Sequence, residues 1–465
     1  MNNNALFENT SIPKAYFTMA LPVVFSMVIS LVYNMADTYF VAKTMNTNLV
    51  AGVSLCAPIF TFMIALGDIF GIGGSSVISR LFGQQMNKEA KNVSGFCFYA
   101  SILCGIVVTI FMFILKDPML NFLGVNKETW LYANQYYNII ALGSTFIILS
   151  LTPSNLIRTE GLATLSMVGT VLGSILNIIL DPIFIFGFHM GAQGAALASV
   201  IGYILSDFLL IYFTKTKANR LSVSFKDCHV EKKEFLDIFT IGIPASITNL
   251  MSSIGVALTN RYLVVFGNEN VAAMGIALKV NMILLLIMVG FAFGAQPLLG
   301  FNYGAKNTER LRAFIKFDIF IEVTFALITA VILSVFAPYI IQSFMNDAHI
   351  IQTGSLMLRL LVLSSPCVGI ILVFTTLFQS EGKALPALIL SISRQGVIYA
   401  ICIVILSKLF TFHGILISQA TADVVTAIIA IRIYIRQKKF DALSNFFSYL
   451  ILSTNFLTDS TSTTS

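Results

Sequence analysis

The sequence predicts an all-α membrane protein: twelve transmembrane helices in two pseudo-symmetric lobes of six helices around a central cleft. Three observations predict this fold. Hydrophobic residues make up 57% of the 465 residues and charged residues only 11%, whereas a soluble protein carries roughly 25% charged residues. The apolar residues form runs of membrane length, and the second half of the chain repeats the first.

The apolar runs give the helix count. A helix needs about 20 apolar residues to cross a bilayer, and twelve runs reach this length. Several runs are longer, which indicates tilted helices or ends that project from the bilayer. Asp318 and Glu322 interrupt the first turns of the ninth run. The predicted spans are residues 15–42, 49–78, 92–115, 130–157, 162–188, 191–214, 235–266, 271–299, 312–343, 351–380, 386–411 and 414–437.

Lysine and arginine are unevenly divided between the two sides that these spans define. Most of the 28 basic residues fall on the side of the N-terminus, which we call the basic side. The loops of the opposite side hold only Lys43, Lys116, Lys127 and Lys408. Because an excess of basic residues marks cytoplasmic loops, we expect a multi-pass protein of the plasma (inner) membrane with both termini in the cytoplasm.

The two halves align at a shift of about 221 residues. The matched residues are Pro22 and Pro244, Gly83 and Gly304, and Glu160 and Glu381. Six spans per half give both copies the same membrane orientation, which is typical of transporters built from parallel repeats. The polar segment 215–234 is the natural linker. We predict a first lobe at 1–222, a second lobe at 223–445 and a C-terminal tail at 446–465 that ends in an unstructured polar stretch.

Two carboxylates lie inside apolar spans. Asp37 is in the first span, and Asp181 is in the fifth, four residues after Asn177 on the same helix face. A rise of about 1.5 Å per residue places Asp37, Asp181 and Ser199 at a common depth, roughly 8–12 Å below the surface opposite the basic side. Carboxylates in membranes mark ion, proton or substrate sites. The alternative is that Asp37 caps a helix end and Asp181 only precedes Pro182 at a kink.

Two neighbouring carboxylates in a dry site do not both stay ionised unless a cation neutralises them. Na⁺ favours the hard oxygen ligands that carboxylates, amides and hydroxyls supply, and the same carboxylates can carry protons. The residues therefore allow either coupling ion. The neutral oxygens of Asn177 and Ser199 favour Na⁺.

Four segments, in their order within the duplicated frame, resemble the MATE (multidrug and toxic compound extrusion) family, in particular its MepA-like branch. They are LPVVFSMVISLVYNMADTYFV, GIGGSSVISRLFG, LNIILDPIFIFGFHMGAQGAALAS and QPLLGFNYGAKN. The resemblance covers roughly residues 10–440. It implies an antiporter that exports amphipathic, often cationic compounds, a property linked to antibiotic resistance. Entry of Na⁺ or H⁺ would drive the export by alternating access.

The resemblance also implies a cation-binding site in the first lobe. The family's residues match Asp37, Asn177, Asp181 and Ser199, and its tyrosine one turn before the first aspartate matches Tyr33. Threonine is commoner in the family where this chain has Ser199, which puts only the fine tuning of the site in doubt. The family's helix-bending proline matches Pro22, which is either a hinge or, on the residues alone, a static kink.

The second lobe has a different set of charged residues. The NorM-like branch of the family adds carboxylates in spans seven and ten, but Pro244–Asn260 and residues 351–380 contain none, so we expect no cation site there. Lys279, Arg359 and Asp423 lie at similar depths. They form either a structural ion pair or a polar network along the drug path.

Several function classes are excluded or disfavoured. The basic residues are spread over short loops, which argues against nucleic-acid binding. No G-x-x-x-x-G-K-[ST] motif supports ATP-driven transport, and the four histidines have no paired ligands. We expect no enzyme activity, no cofactor and no metal other than Na⁺, in a monomer whose partners are small-molecule drugs and membrane lipids. Alternatives are a lipid-linked oligosaccharide flippase of a related superfamily and a channel or receptor without pumping.

Overall fold

Helices make up almost all of the structure. The computed structural model describes residues 4–461, and no β-strand occurs in this range. Short helices at Asn4–Glu8 and Lys116–Phe122 accompany twelve long ones. The long helices are α1 (Ile12–Lys43), α2 (Thr47–Gly83), α3 (Asn87–Ile114), α4 (Trp130–Thr159), α5 (Ala163–Gly187), α6 (Ala192–Thr216), α7 (Lys232–Phe266), α8 (Asn268–Gly304), α9 (Thr308–Phe344), α10 (Ala348–Ser380), α11 (from Ala384 to a break at Thr411) and α12 (from that break to Thr461).

The break at Thr411 completes the count of twelve. Without it, Ala384–Lys438 would be one apolar helix of 55 residues, about 80 Å long against a bilayer core of about 30 Å. The backbone at Thr411 has φ 49° and ψ −122°, which is not helical. The predicted twelve-helix fold in two lobes is therefore confirmed. The lobe boundaries stay predictions, and residues 462–465 of the predicted tail lie outside the described residues.

Two spans are interrupted where proline begins a new helix. Span two is divided at Cys56, and the helix that follows has Pro58 in its first turn. Span ten is divided at Ser364 with a bend of 40°, and Pro366 begins the second segment. Proline has no N–H to donate to the preceding turn but fits the first turn of a new helix.

The backbone confirms the duplication. Four pairs of residues with positive φ recur at a spacing of 221 or 222 positions. They are Met45 and Gly267, Gln85 and Lys306, Gly161 and Gly382, and His189 and Thr411. Each pair occupies the same turn in the two halves, so the halves share their local geometry as well as their pattern of apolar residues.

Helices α2 and α8 cross at the matched glycines. A β-carbon on Gly83 would lie 2.1 Å from the carbonyl oxygen of Phe301, and one on Gly304 would lie 2.1 Å from the carbonyl oxygen of Arg80. Arg80 and Phe301 occupy equivalent positions in the repeat, so the pseudo-symmetry that relates the two halves also relates these two contacts. The crossing therefore lies on the pseudo-two-fold axis, where the backbones leave no room for a side chain.

The lobes are also joined by polar contacts towards the basic side. Tyr16 bonds to Asp318, Ser76 to the carbonyl of Gln379, Arg80 to Asp237, Asn249 to Asp68, and Arg310 to the carbonyls of Phe7 and Thr10. Beyond Asp68 and Asn249, towards the opposite side, no hydrogen bond or ion pair between the lobes occurs among the described residues. The two lobes are thus held together near the basic side.

The linker is fixed to the first lobe through Glu160. This buried side chain accepts hydrogen bonds from the backbone N–H groups of Asn219 and Arg220, at 2.8 and 3.3 Å, and the Arg220 guanidinium lies 3.7 Å away. Burial raises the pKa of the Glu160 carboxyl, and these donors oppose that rise. The predicted repeat residue Glu160 is therefore an anchor for the connection between the lobes.

We expect Gly83→Ala to weaken the crossing of α2 and α8. Overpacking of this kind costs about 1–3 kcal/mol, and thermal unfolding of the purified protein measures it. Gly275→Ala is the matched control, because a β-carbon on Gly275 has no neighbour within 4 Å. Both variants gain the helix propensity of alanine, about 1 kcal/mol. The difference between their stabilities therefore measures the cost of the added methyl group at the crossing. Equal unfolding temperatures would contradict the close approach.

Candidate functional site

Three of the predicted site residues meet around the Ser199 hydroxyl. The Tyr33 hydroxyl lies 3.3 Å from Ser199 Oγ, and Asn177 Nδ2 donates to the same oxygen at 3.2 Å. All three side chains are buried. They come from α1, α5 and α6, so the site is formed inside the first lobe.

A close approach of α5 and α6 explains this meeting. A β-carbon on Gly173 would lie 2.5 Å from the carbonyl oxygen of Gly202, and one on Gly202 would lie 2.8 Å from that of Gly173. Facing glycines let membrane helices approach closely. The β-carbon of Asn177 lies against Gly202, which brings its amide to Ser199.

The two aspartates add unpaired oxygens to the site. Asp181 is fully buried, and both of its carboxylate oxygens lack a hydrogen-bond partner. Oδ1 of Asp37 and Oδ1 of Asn177 are also buried without a partner. The Asp37 and Asp181 carboxylates are close enough to interact electrostatically. Four orphaned oxygens, three of them from acids, form the donor set that a hard cation such as Na⁺ prefers, and the carboxylates could equally hold protons.

The end of α5 places Asp181 in this cluster. Pro182 has no N–H for the preceding turn, and the helix continues as a π turn over Ile183–Gly187. Single π turns often mark functional sites in helices. The helix thus changes its hydrogen-bond pattern directly after the buried acid, and the kink at Pro182 stays a prediction.

Sequence reasoning missed two tyrosines and gave no role to one acid near the site. Tyr136 of α4 is buried within electrostatic range of Asp37 and Asp181, and Tyr203 of α6 lies within range of Tyr33. Asp207, one turn after Tyr203, is buried with both oxygens unpaired. The spacing of Tyr203 and Asp207 on one helix face was the available signal.

A further acid, Asp68, lies between the lobes and was not singled out in the sequence. Asn249 of α7 donates to Asp68 Oδ2 at 3.0 Å. The buried guanidinium of Arg158 interacts electrostatically with Asp68 and bonds to Asn155. Asp68 is only half-buried. It is therefore a carboxylate at the contact between the lobes, near the middle of the membrane.

The second-lobe residues do not form the predicted network. Asp423 is buried and bonds to Ser364 at 2.7 Å and to Arg394 Nε at 3.2 Å. Lys279 is exposed, and exposed Arg359 donates to the carbonyl of Ser334. The base that pairs with Asp423 is therefore Arg394, which lies in a second π turn at Ser393–Val397.

Pro22 lies inside α1 without ending the helix. On either side of it, Ala20 and Val24 pack against Gly294 and Gly290 of α8. A bend at Pro22 would therefore move α1 against the other lobe. Whether Pro22 acts as a hinge stays a prediction.

Comparison with known proteins decides the family. A family model described as MatE matches residues 22–183 and 244–399, one segment in each lobe. The chain belongs to the MATE family. The two matched segments begin at Pro22 and Pro244, the prolines that define the repeat.

The relatives of this MATE protein match it over nearly their whole length. The multidrug export protein MepA of Staphylococcus haemolyticus is 32% identical over 426 residues, which cover 91% of this chain and 93% of that protein. MepA of Staphylococcus aureus is 30% identical, covering 92% and 94%. A solved structure of a multidrug resistance MATE family transporter in an outward-facing conformation superposes with a TM-score of 0.88 at 27% identity, covering 94% of this chain and 99% of that one.

We expect Asp181→Asn to weaken Na⁺ binding at least tenfold, about 1.4 kcal/mol, because one anionic ligand is lost while the side-chain volume is kept. Titration calorimetry on the purified protein at fixed pH measures the affinity. Asp68→Asn is the control, since Asp68 lies outside the cluster and should leave Na⁺ binding unchanged. Undiminished Na⁺ affinity in Asp181→Asn would contradict the site. If the wild-type protein shows no Na⁺ affinity, the cluster binds protons rather than Na⁺.

Proposed function

We propose that this MATE protein is a cation-coupled multidrug efflux antiporter. The carrying observation is the cluster of Asp37, Asn177, Asp181 and Ser199, in which both Asp181 oxygens and the Oδ1 atoms of Asp37 and Asn177 are buried without a partner. Carboxylates without partners in a membrane interior call for an incoming positive charge. Na⁺ or H⁺ supplies that charge, and its entry drives the export of drug.

The way the lobes meet supports alternating access as part of this proposal. Their polar contacts lie towards the basic side, which we assign to the cytoplasm, in a plasma membrane protein with both termini inside. This arrangement supports a state that opens to the outside. Ion binding and drug binding would favour different lobe arrangements, because a ligand shifts an equilibrium only through its differential affinity for the two states.

The substrates in this proposal are amphipathic and often cationic compounds, and the names of the MepA relatives describe those proteins as multidrug exporters. Asp68 is suited to receive the positive charge of a substrate, because it lies between the lobes and is only half-buried. A cavity of about 700 Å³ between α3, α7 and the linker is lined by apolar and aromatic side chains, among them Phe96, Tyr99 and Phe239. Its lining suits the apolar part of a compound that arrives from the inner leaflet.

We expect Asp37→Asn and Asp181→Asn each to abolish efflux while membrane abundance stays normal. Efflux of a fluorescent cation from proteoliposomes, with Na⁺ and pH gradients imposed separately, measures the loss and identifies the coupling ion. Full drug resistance in cells that carry either variant would contradict the proposal. Substrate movement that ignores both gradients in the wild type would instead favour a channel.

Asp68→Asn should weaken the apparent affinity for cationic substrates about tenfold, which is about 1.4 kcal/mol, and leave uncharged substrates of similar size unaffected. The physical reason is the loss of one carboxylate at the contact between the lobes. Concentration dependence of efflux for one cationic and one neutral compound measures the effect. An equal loss for both compounds would show that Asp68 serves structure rather than recognition.

A further inference from the structure

A second pair of carboxylates lies outside the cation site. Asp318 and Glu322 are one turn apart on α9, and neither side chain is exposed to solvent (0% each). Oδ2 of Asp318 has no hydrogen-bond partner, and no side chain among the described residues bonds to Glu322, whose carboxylate lies within reach of the backbone of Ala292. The cation site in the first lobe does not use either residue.

Among the described residues, the side chain that bonds to the pair comes from the other lobe. The Tyr16 hydroxyl of α1 donates to Asp318 Oδ1 at 2.7 Å. The Tyr16 ring packs against Phe17, Phe291 and Phe317, with ring centroids 5.2 to 6.4 Å apart. The contact between the lobes therefore seals the pair from water with aromatic side chains.

No base neutralises the pair among the described residues. Of the helices packed on α9, α1 presents Tyr16, and the α8 segment near the pair presents Phe291 and Met288. The α10 segment presents Gly369 against Glu322, and the one arginine of α10 bonds to the carbonyl of Ser334, three turns away along α9.

Two adjacent carboxylates without a base do not both stay ionised in a dry interior, because the desolvation of each charge and their mutual repulsion are unfavourable. A proton on one of them removes both costs. Its second effect is to let one carboxyl donate to an oxygen that otherwise lacks a partner.

We propose that Asp318 and Glu322 form a proton-binding site separate from the cation site, closed by Tyr16 when the lobes meet on the basic side. The pair holds a proton in the arrangement seen here and exchanges it when the lobes part. The exchange step rests on the proposed alternating access, whereas the bound proton does not.

Infrared difference spectroscopy of the full-length protein in lipid nanodiscs tests the bound proton. We expect Asp318→Asn or Glu322→Gln, compared with the wild type at neutral pH, to remove the band of one protonated carboxyl. Asp423→Asn is the control. Because Asp423 is paired with Arg394, this substitution should remove a carboxylate band instead. Loss of a carboxylate band in both Asp318→Asn and Glu322→Gln, with or without Na⁺, would overturn the proposal. If the band depends on Na⁺, the pair binds Na⁺ instead, which also overturns it.

Tyr16→Phe tests the seal, since it keeps the ring and removes the hydroxyl. We expect the protonated-carboxyl band to shift and its exchange in D₂O to become at least tenfold faster than in the wild type. Unchanged exchange would overturn the seal. Efflux driven by ion gradients separates the two proposals. If Asp181→Asn abolishes efflux and Glu322→Gln leaves both the rate and the pH dependence of efflux unchanged, the antiporter proposal is supported. The same result would overturn proton exchange at Asp318 and Glu322.

Discussion

A carboxylate inside a membrane protein needs a positive charge or a proton, and this requirement divides the buried acids of the chain into two groups. Asp423 has Arg394, so it is satisfied within its lobe. Asp181, Asp207 and Glu322 have no base and no side-chain hydrogen-bond partner among the described residues. The paired acid needs nothing beyond the protein, whereas the unpaired acids need a cation or a proton from outside it.

The two halves share their backbone geometry but not their buried acids. The crossing of Gly83 and Gly304 and the paired positive-φ turns are common to both halves. The acids are not. At a shift of 222 residues Asp37 corresponds to Thr259, which bonds to Tyr399 within the second lobe. The second lobe thus has a hydrogen-bonded hydroxyl pair where the first lobe has Asp37, while the second lobe's acids without a base, Asp318 and Glu322, lie on α9.

The sequence predicted what periodicity and spacing control. The spans, the repeat and the shared face of Asn177 and Asp181 follow from the chain itself, and the structure brings Asn177 to Ser199. Contacts between distant helices do not follow from spacing. Arg394 bonds to Asp423 from a π turn that no local sequence pattern predicts. The partner of Asp68 comes from the other lobe.

Helix α1 joins the two sets of acids. Tyr16 lies before Pro22 and bonds to Asp318, whereas Tyr33 and Asp37 lie after it in the first-lobe site. The residues around Pro22 pack on two glycines of α8, so that part of α1 is held by backbone contact rather than by long side chains. A proline weakens the helix at this point. A change at one end of α1 can therefore be transmitted to the other end, because the same helix carries a residue of each group of acids or a residue bonded to it.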